Sequence, residues 1–67
     1  MLSARNQFKG VVKSVKLGEV MAEVVVTVGN LDVVSAITRT SAEALGLKVG
    51  DEVRTIIKST EVLIDKS

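Results

Sequence analysis

Between residues 20 and 28 the chain alternates without a break. Val20, Ala22, Val24, Val26 and Val28 fall on one face of an extended segment, and Met21, Glu23, Val25 and Thr27 fall on the other. One face is wholly apolar and the other mixed, the pattern of a barrel wall. Gly29-Asn30 is a turn signal, so Leu31 to Thr38 is expected to return as an antiparallel partner. A preceding strand is expected from about Asn6 to Lys16. Gly10 inside it predicts a bulge or a sharp bend, where the strand leaves one sheet edge for another. Leu17-Gly18-Glu19 then turns the chain. Further on, Val53, Thr55 and Ile57 alternate with Arg54, Ile56 and Lys58 over Glu52 to Lys58. A last short strand is expected over Glu61 to Asp65, with Val62 and Ile64 on one face, after a break at Ser59-Thr60.

One short helix interrupts the strands. Thr40-Ser41-Ala42-Glu43 fits a capping box, with Thr40 as N-cap and Glu43 reaching back. Gly46 is a natural residue just past the helix end. Leu45, Leu47 and Val49 would plug one end of the barrel, and Gly50-Asp51 turns into the fourth strand. The expected fold is all-β: an OB-like five-stranded barrel with one short helix between strands 3 and 4. No linker, repeat or low-complexity stretch divides the chain, so residues 1–67 are read as a single domain.

Composition sharpens this picture in one respect. A chain of 67 residues buries only about 60% of its unfolded surface. Small domains offset that with disulfides, a structural metal or association. Cysteine and histidine are both absent, which removes disulfides and the usual zinc sites. Association remains, and a hydrophobic content of 46% agrees with it. The chain is therefore expected to be a homo-oligomer whose interfaces extend its core.

Charge and aromatic content exclude other partners. The formal net charge is +1, which offers no general field for a nucleic acid. Phe8 is the one aromatic residue, so base stacking has almost nothing to work with. No apolar run exceeds the length of Val24 to Val26, far short of a membrane span. The first residues lack the apolar core of a signal peptide. The expectation is a cytoplasmic protein with no nucleic-acid and no membrane partner.

Little catalytic chemistry is on offer. The acids Glu19, Glu23, Asp32, Glu43, Asp51, Glu52, Glu61 and Asp65 are dispersed, and no hydroxyl is spaced with a base. Hydroxyls and cations do cluster, in Ser3-Ala4-Arg5-Asn6, Thr38-Arg39-Thr40-Ser41 and Lys58-Ser59-Thr60. Charge-assisted donors beside neutral donors are the parts of a small oxyanion site, and the helix start adds backbone N–H groups. A plainer account stands beside this one. Thr40 or Ser41 caps a helix, Arg54 and Lys58 are solvated charges, and Arg5 is a loose terminal residue.

The opening Ser3-Ala4-Arg5-Asn6-Gln7-Phe8-Lys9-Gly10 resembles that of the molbindin, or Mop, family. That opening reads Ser-Ala-Arg-Asn-Gln, an apolar or aromatic residue, a variable residue and glycine. The likeness continues through Ala36-Ile37-Thr38 leading to Ser41, Leu45-Gly46-Leu47-Lys48-Val49-Gly50-Asp51-Glu52-Val53 and Ile57-Lys58-Ser59-Thr60-Glu61-Val62. It covers nearly the whole chain in order. The resemblance implies an OB-like barrel assembled as a homohexamer, a trimer of dimers. It also implies molybdate or tungstate bound between subunits, for storage or homeostasis. Carried over residue by residue, the site would comprise Ser3, Arg5, Thr38, Ser41, Lys58 and Ser59. Many members carry alanine at the position of Ser59, which points to its backbone N–H as the donor.

That set suits its ligand. Molybdate is a tetrahedral dianion without protons at neutral pH, and it needs donors only. Arg5 and Lys58 would compensate its charge, with Arg5 able to grip two oxygens. Ser3, Thr38 and Ser41 would donate hydroxyl hydrogen bonds, and no side chain would ligate molybdenum. No cofactor and no catalytic residue is expected. The alternatives are an OB-like nucleic-acid-binding module and a ligand-free oligomerisation domain.

Overall fold

The computed structural model describes residues 5–66. Four strands form one antiparallel sheet in the order β3-β2-β1-β4. They are β1 (Asn6–Leu17), β2 (Met21–Val28), β3 (Leu31–Thr38) and β4 (Glu52–Ile57), with helix α1 (Arg39–Leu45) between β3 and β4. The element order and the β2–β3 hairpin agree with the hydrophobic alternation. Val28 pairs with Leu31 across Gly29-Asn30.

The first strand holds two partners. Asn6 to Val11 pair with β4, and Val11 to Leu17 pair with β2. At the exchange point Gly10 passes directly over β2. A Cβ added there would lie 2.5 Å from the Thr27 carbonyl oxygen and 2.7 Å from Val26 Cγ1. Only glycine allows that approach, because neither the backbone nor a packed valine can withdraw. The irregular register lies slightly later than expected. It falls between Val12 and Ser14, so Lys13 is the extra residue.

Val12, Val24 and Val26 form the buried cluster, with Val15, Val28, Ile37, Leu47 and Val53 packed against it. They are the inward positions of the alternation. Val20 is not among them: it lies outside β2 and is 72% exposed. Ala42, rather than a leucine, is the buried residue of α1. Leu47 packs on the core, whereas Leu45 and Val49 are exposed, so the expected three-residue plug is reduced to one. A seven-residue helix presents one face inward, and Ala42 takes it.

Two expectations are corrected. The N-cap of α1 is Thr38, not Thr40, and Thr38 Oγ1 accepts from the Ser41 N–H. Sheet pairing decides this. Thr38 is held opposite Met21, and the Arg39 N–H donates to the Val20 carbonyl at 2.8 Å, so the backbone leaves the ladder two residues early. The fifth strand is also absent from the sheet. Ser59–Glu61 forms one turn of 3-10 helix, and residues 62–66 that follow join no strand among the described residues. Leu63 is 93% and Ile64 90% exposed. The fold is an OB-like barrel with four strands in place.

Candidate oxyanion-binding site

The expected site residues gather into two groups. Ser3 lies outside the described residues. Asn6 pairs with Ile57, so Arg5 and Lys58, each one residue further, leave the β1–β4 ladder side by side. Ser59 follows Lys58 and opens the 3-10 turn. Among the described residues neither Arg5 nor Lys58 forms an ion pair; those present are Lys13–Asp32 at 2.7 Å and Arg39–Glu43 at 3.6 Å.

The same face of this ladder carries more positive charge. Lys9 lies directly opposite Arg54, two residues along from Gln7 and Ile56. Cross-strand neighbours in register share a face. Arg5, Lys9, Arg54 and Lys58 therefore form one cationic strip, broken by Gln7, whose Oε1 accepts from Arg54 Nη1 at 3.0 Å. Like charges set opposite each other destabilise a sheet slightly, so the strip lowers stability unless something anionic faces it. The sequence held this signal, because Lys9 and Arg54 sit in phase with Arg5 and Lys58. It becomes readable only once the β1–β4 register is known.

The second group is at the other end of β1. Thr38 closes β3 opposite Met21, beside the point where Leu17 pairs with Ala22. The Thr38 hydroxyl donates to Ser41 Oγ at 2.8 Å, while Thr38 Oγ1 accepts the Ser41 N–H at 3.1 Å. Two hydroxyls bonded to one another have a single proton left to give, here that of Ser41. Thr38 and Ser41 thus act as one polarised donor rather than two. The expected supply of backbone donors is also smaller. The Arg39 and Ser41 N–H groups are occupied, which leaves that of Thr40 available in the first turn.

Arg39, within the Thr38–Ser41 segment, is not a free cation. Its Nη1 donates to the Gly18 carbonyl at 3.2 Å and its Nε faces Glu43, which straps the helix to the β1–β2 turn. No described group of His, Cys, Asp or Glu could hold a bare metal ion. The chemistry on display is donation to an anion.

Within one chain the two groups stand at opposite ends of the twelve-residue β1. Along the chain a bulged strand separates them, and no described hydrogen bond or ion pair joins the two sets. The structure brings Arg5, Lys58 and Ser59 together and brings Thr38 and Ser41 together, but it does not bring these two sets to each other.

A small OB-like sheet with donor groups at both ends has the make-up of an anion-binding module. The TOBE domain model matches residues 2–64. The chain is 52% identical to molybdenum-pterin-binding protein 3 of Clostridium pasteurianum over 64 residues, 94% of each protein. In structure it matches a molybdate binding protein from Sporomusa ovata with a TM-score of 0.94, at 36% identity and covering 98% of both chains. It also matches the cytoplasmic molybdate-binding protein ModG at 0.88 and 36% identity, covering 94% of this chain and 45% of that one. The chain belongs to the TOBE domain family, in its molbindin (Mop) branch.

Proposed function

We propose that this protein binds molybdate, or the similar tungstate, reversibly and without covalent chemistry, at sites completed by neighbouring copies in a homohexamer. The observation that carries this reading is the Arg5–Lys58 pair, two adjacent cations without an acid partner, followed by Ser59. Arg5 and Lys58 compensate the dianion, Ser59 adds its N–H, and Ser3 lies two residues before Arg5. The Thr38–Ser41 pair, donating the Ser41 proton, comes from a second copy. That division is supported by the single chain, in which no described hydrogen bond or ion pair joins the two sets. A carboxylate-free set suits an oxyanion that carries no proton to donate. Charge-assisted bonds of roughly 1.5 to 3 kcal/mol each, with neutral ones near 1, suffice for micromolar affinity.

The relatives' names support this reading from two directions, since one refers to a molybdenum pterin and two to molybdate. The donor set favours the oxyanion. A pterin ring asks for an aromatic platform, and Phe8 is the chain's one aromatic residue. Sulfate shares the charge and shape of molybdate but is smaller, so discrimination rests on cavity size and a preorganised shell. A cytoplasmic role in molybdenum storage or homeostasis accords with reversible binding and with the ModG relative.

Isothermal titration of the purified protein with molybdate and with sulfate, paired with native mass spectrometry, tests the reading. Molybdate is expected to bind with micromolar or tighter affinity, sulfate far more weakly, on an assembly of six chains. Equal affinity for the two anions, or no heat with either, would refute it.

A further inference from the structure

Charge is matched on one half of the sheet and doubled on the other. Along β1 and β2 the register sets Lys16 opposite Glu23, and Lys13 Nζ lies 2.7 Å from Asp32. Along β1 and β4 it sets Lys9 opposite Arg54, and both are exposed. Like charges in register destabilise a sheet, where an acid at either position would stabilise it. Among the described residues no carboxylate forms an ion pair with Lys9 or Arg54. Folding gains nothing from this rung, so its use lies elsewhere.

The rung sits in a graded field. Successive rungs on this face are Val11–Glu52, Lys9–Arg54 and Gln7–Ile56, and Arg5 and Lys58 continue the ladder one step further. Glu52 therefore stands at one end and the cation pair of the oxyanion site at the other. The Arg54 guanidinium leans toward that pair, since its Nη1 donates to Gln7 Oε1 at 3.0 Å. A guanidinium has five N–H donors, and no other described hydrogen bond engages those of Arg54. A hollow of about 510 Å³ opens beside the rung, with Lys9, Val11, Glu52 and Arg54 among its lining. An anion entering it is repelled by Glu52 behind and attracted by Arg5 and Lys58 ahead.

We propose that Lys9 and Arg54 form a landing site for tetrahedral oxyanion dianions, which pass from it along Gln7 to Arg5 and Lys58. The proposal rests on the oxyanion reading of the inner pair and adds its route of entry. Two exposed cations hold an anion by its charge and have no closed shell with which to measure its size. The landing site therefore takes sulfate as readily as molybdate, and selection is left to the inner site. About 13 Å of strand separates the two cationic rungs. The Debye length is about 8 Å at physiological ionic strength, so Lys9 and Arg54 add little to the hold on an ion already bound. At low salt it grows to roughly 30 Å, and the two rungs act as one field on an approaching ion. The outer rung thus changes rates more than affinity, and it speeds exit as well as entry.

NMR titration of the assembled, isotope-labelled protein follows both sites residue by residue. The Lys9, Gly10 and Arg54 amides are expected to shift with millimolar sulfate and with molybdate alike. The Lys58 and Ser59 amides are expected to shift with molybdate alone, at far lower concentration. Exchange spectroscopy on Lys58 and Ser59 then gives the rates of entry and exit. In Lys9→Gln/Arg54→Gln, entry should slow roughly tenfold at low salt, exit should slow with it, and affinity should fall less than about threefold. Lys13→Gln/Lys16→Gln removes the same charge from the other half of the sheet and should slow neither rate more than about twofold. Outer amides that ignore both anions overturn the proposal. So do parental rates in Lys9→Gln/Arg54→Gln, an affinity loss as large as its loss in rate, or equal slowing in Lys13→Gln/Lys16→Gln. A silent outer rung with tight molybdate binding at Lys58 and Ser59 removes the landing site alone. Shifts at the outer rung with none at Lys58 and Ser59 remove the passage together with the oxyanion reading.

Discussion

The two ends of β1 have been put to different uses. Its later half is closed on itself. It pairs with β2, which pairs with β3 along the whole hairpin, and Lys13, Thr27 and Asp32 bond across the strands with Lys13 Nζ 2.7 Å from Asp32. Its earlier half is open. There β1 pairs only with β4, the cations Arg5, Lys9, Arg54 and Lys58 share one face, and the segment beyond β4 has no sheet partner. Where a chain satisfies its own charges and edges, it is building structure. Where it leaves cations without acids and a strand without a neighbour, it is prepared for something outside itself.

The comparison is broken most severely at the joint between the halves. Gly10→Val places side-chain atoms where Thr27 O and Val26 Cγ1 already stand. It is expected to destabilise the fold by about 3 kcal/mol or more. A thermal melt should show it largely unfolded, and an unchanged melting temperature would mean that β1 does not depend on this crossing. Lys58→Ala sharpens the contrast on the open side. Lys58 is exposed and forms no ion pair among the described residues, so stability should change by less than about 0.5 kcal/mol. Molybdate affinity should fall by about 2 kcal/mol, roughly thirtyfold. Calorimetric titration that returns the unaltered affinity would remove Lys58 from the site.

Smaller effects are expected at the hydroxyl pair. Thr38→Ala removes the N-cap of α1 and should cost about 1 kcal/mol of stability as well as weakening binding. Thr38→Ser should restore most of both, and melting curves with and without molybdate read the two together. The least effect concerns Asp32. The Lys13 ammonium bonded to it holds its carboxyl below the ordinary value of 3.8. A carboxyl depressed on folding stabilises the protein above its ordinary value and loses that contribution as pH falls through the lowered one. Asp32→Asn should therefore melt slightly lower than the parent near pH 7. The gap should close as pH is taken below 3.8, and a gap that persists in acid would show that the carboxylate charge is not its source.

Much of this architecture is readable from residue order. The alternation over Val20–Val28 and Leu31–Thr38 identifies the hairpin because both strands pair locally and bury one face. The helix cap is misread from sequence because Thr40-Ser41-Ala42-Glu43 is the better local motif. Pairing with Met21 and the bond to Val20, both distant in sequence, select Thr38 instead. The fifth strand has a sound pattern but joins no sheet among the described residues, because alternation marks a strand without naming the neighbour it needs. For the site, Arg5 and Lys58 are legible as cations, but their adjacency depends on the β1–β4 register. That Thr38 and Ser41 share one free proton appears only in their geometry.

The span of β1 between the cationic end and the hydroxyl end carries a quantitative consequence. If each anion bridges the far ends of two different chains, ligand occupancy and subunit association become a single coupled equilibrium. Dilution then weakens apparent affinity, and ligand in turn holds the assembly together at concentrations where it would otherwise fall apart. Such a protein releases its cargo by becoming scarce as well as by depletion of the free ion.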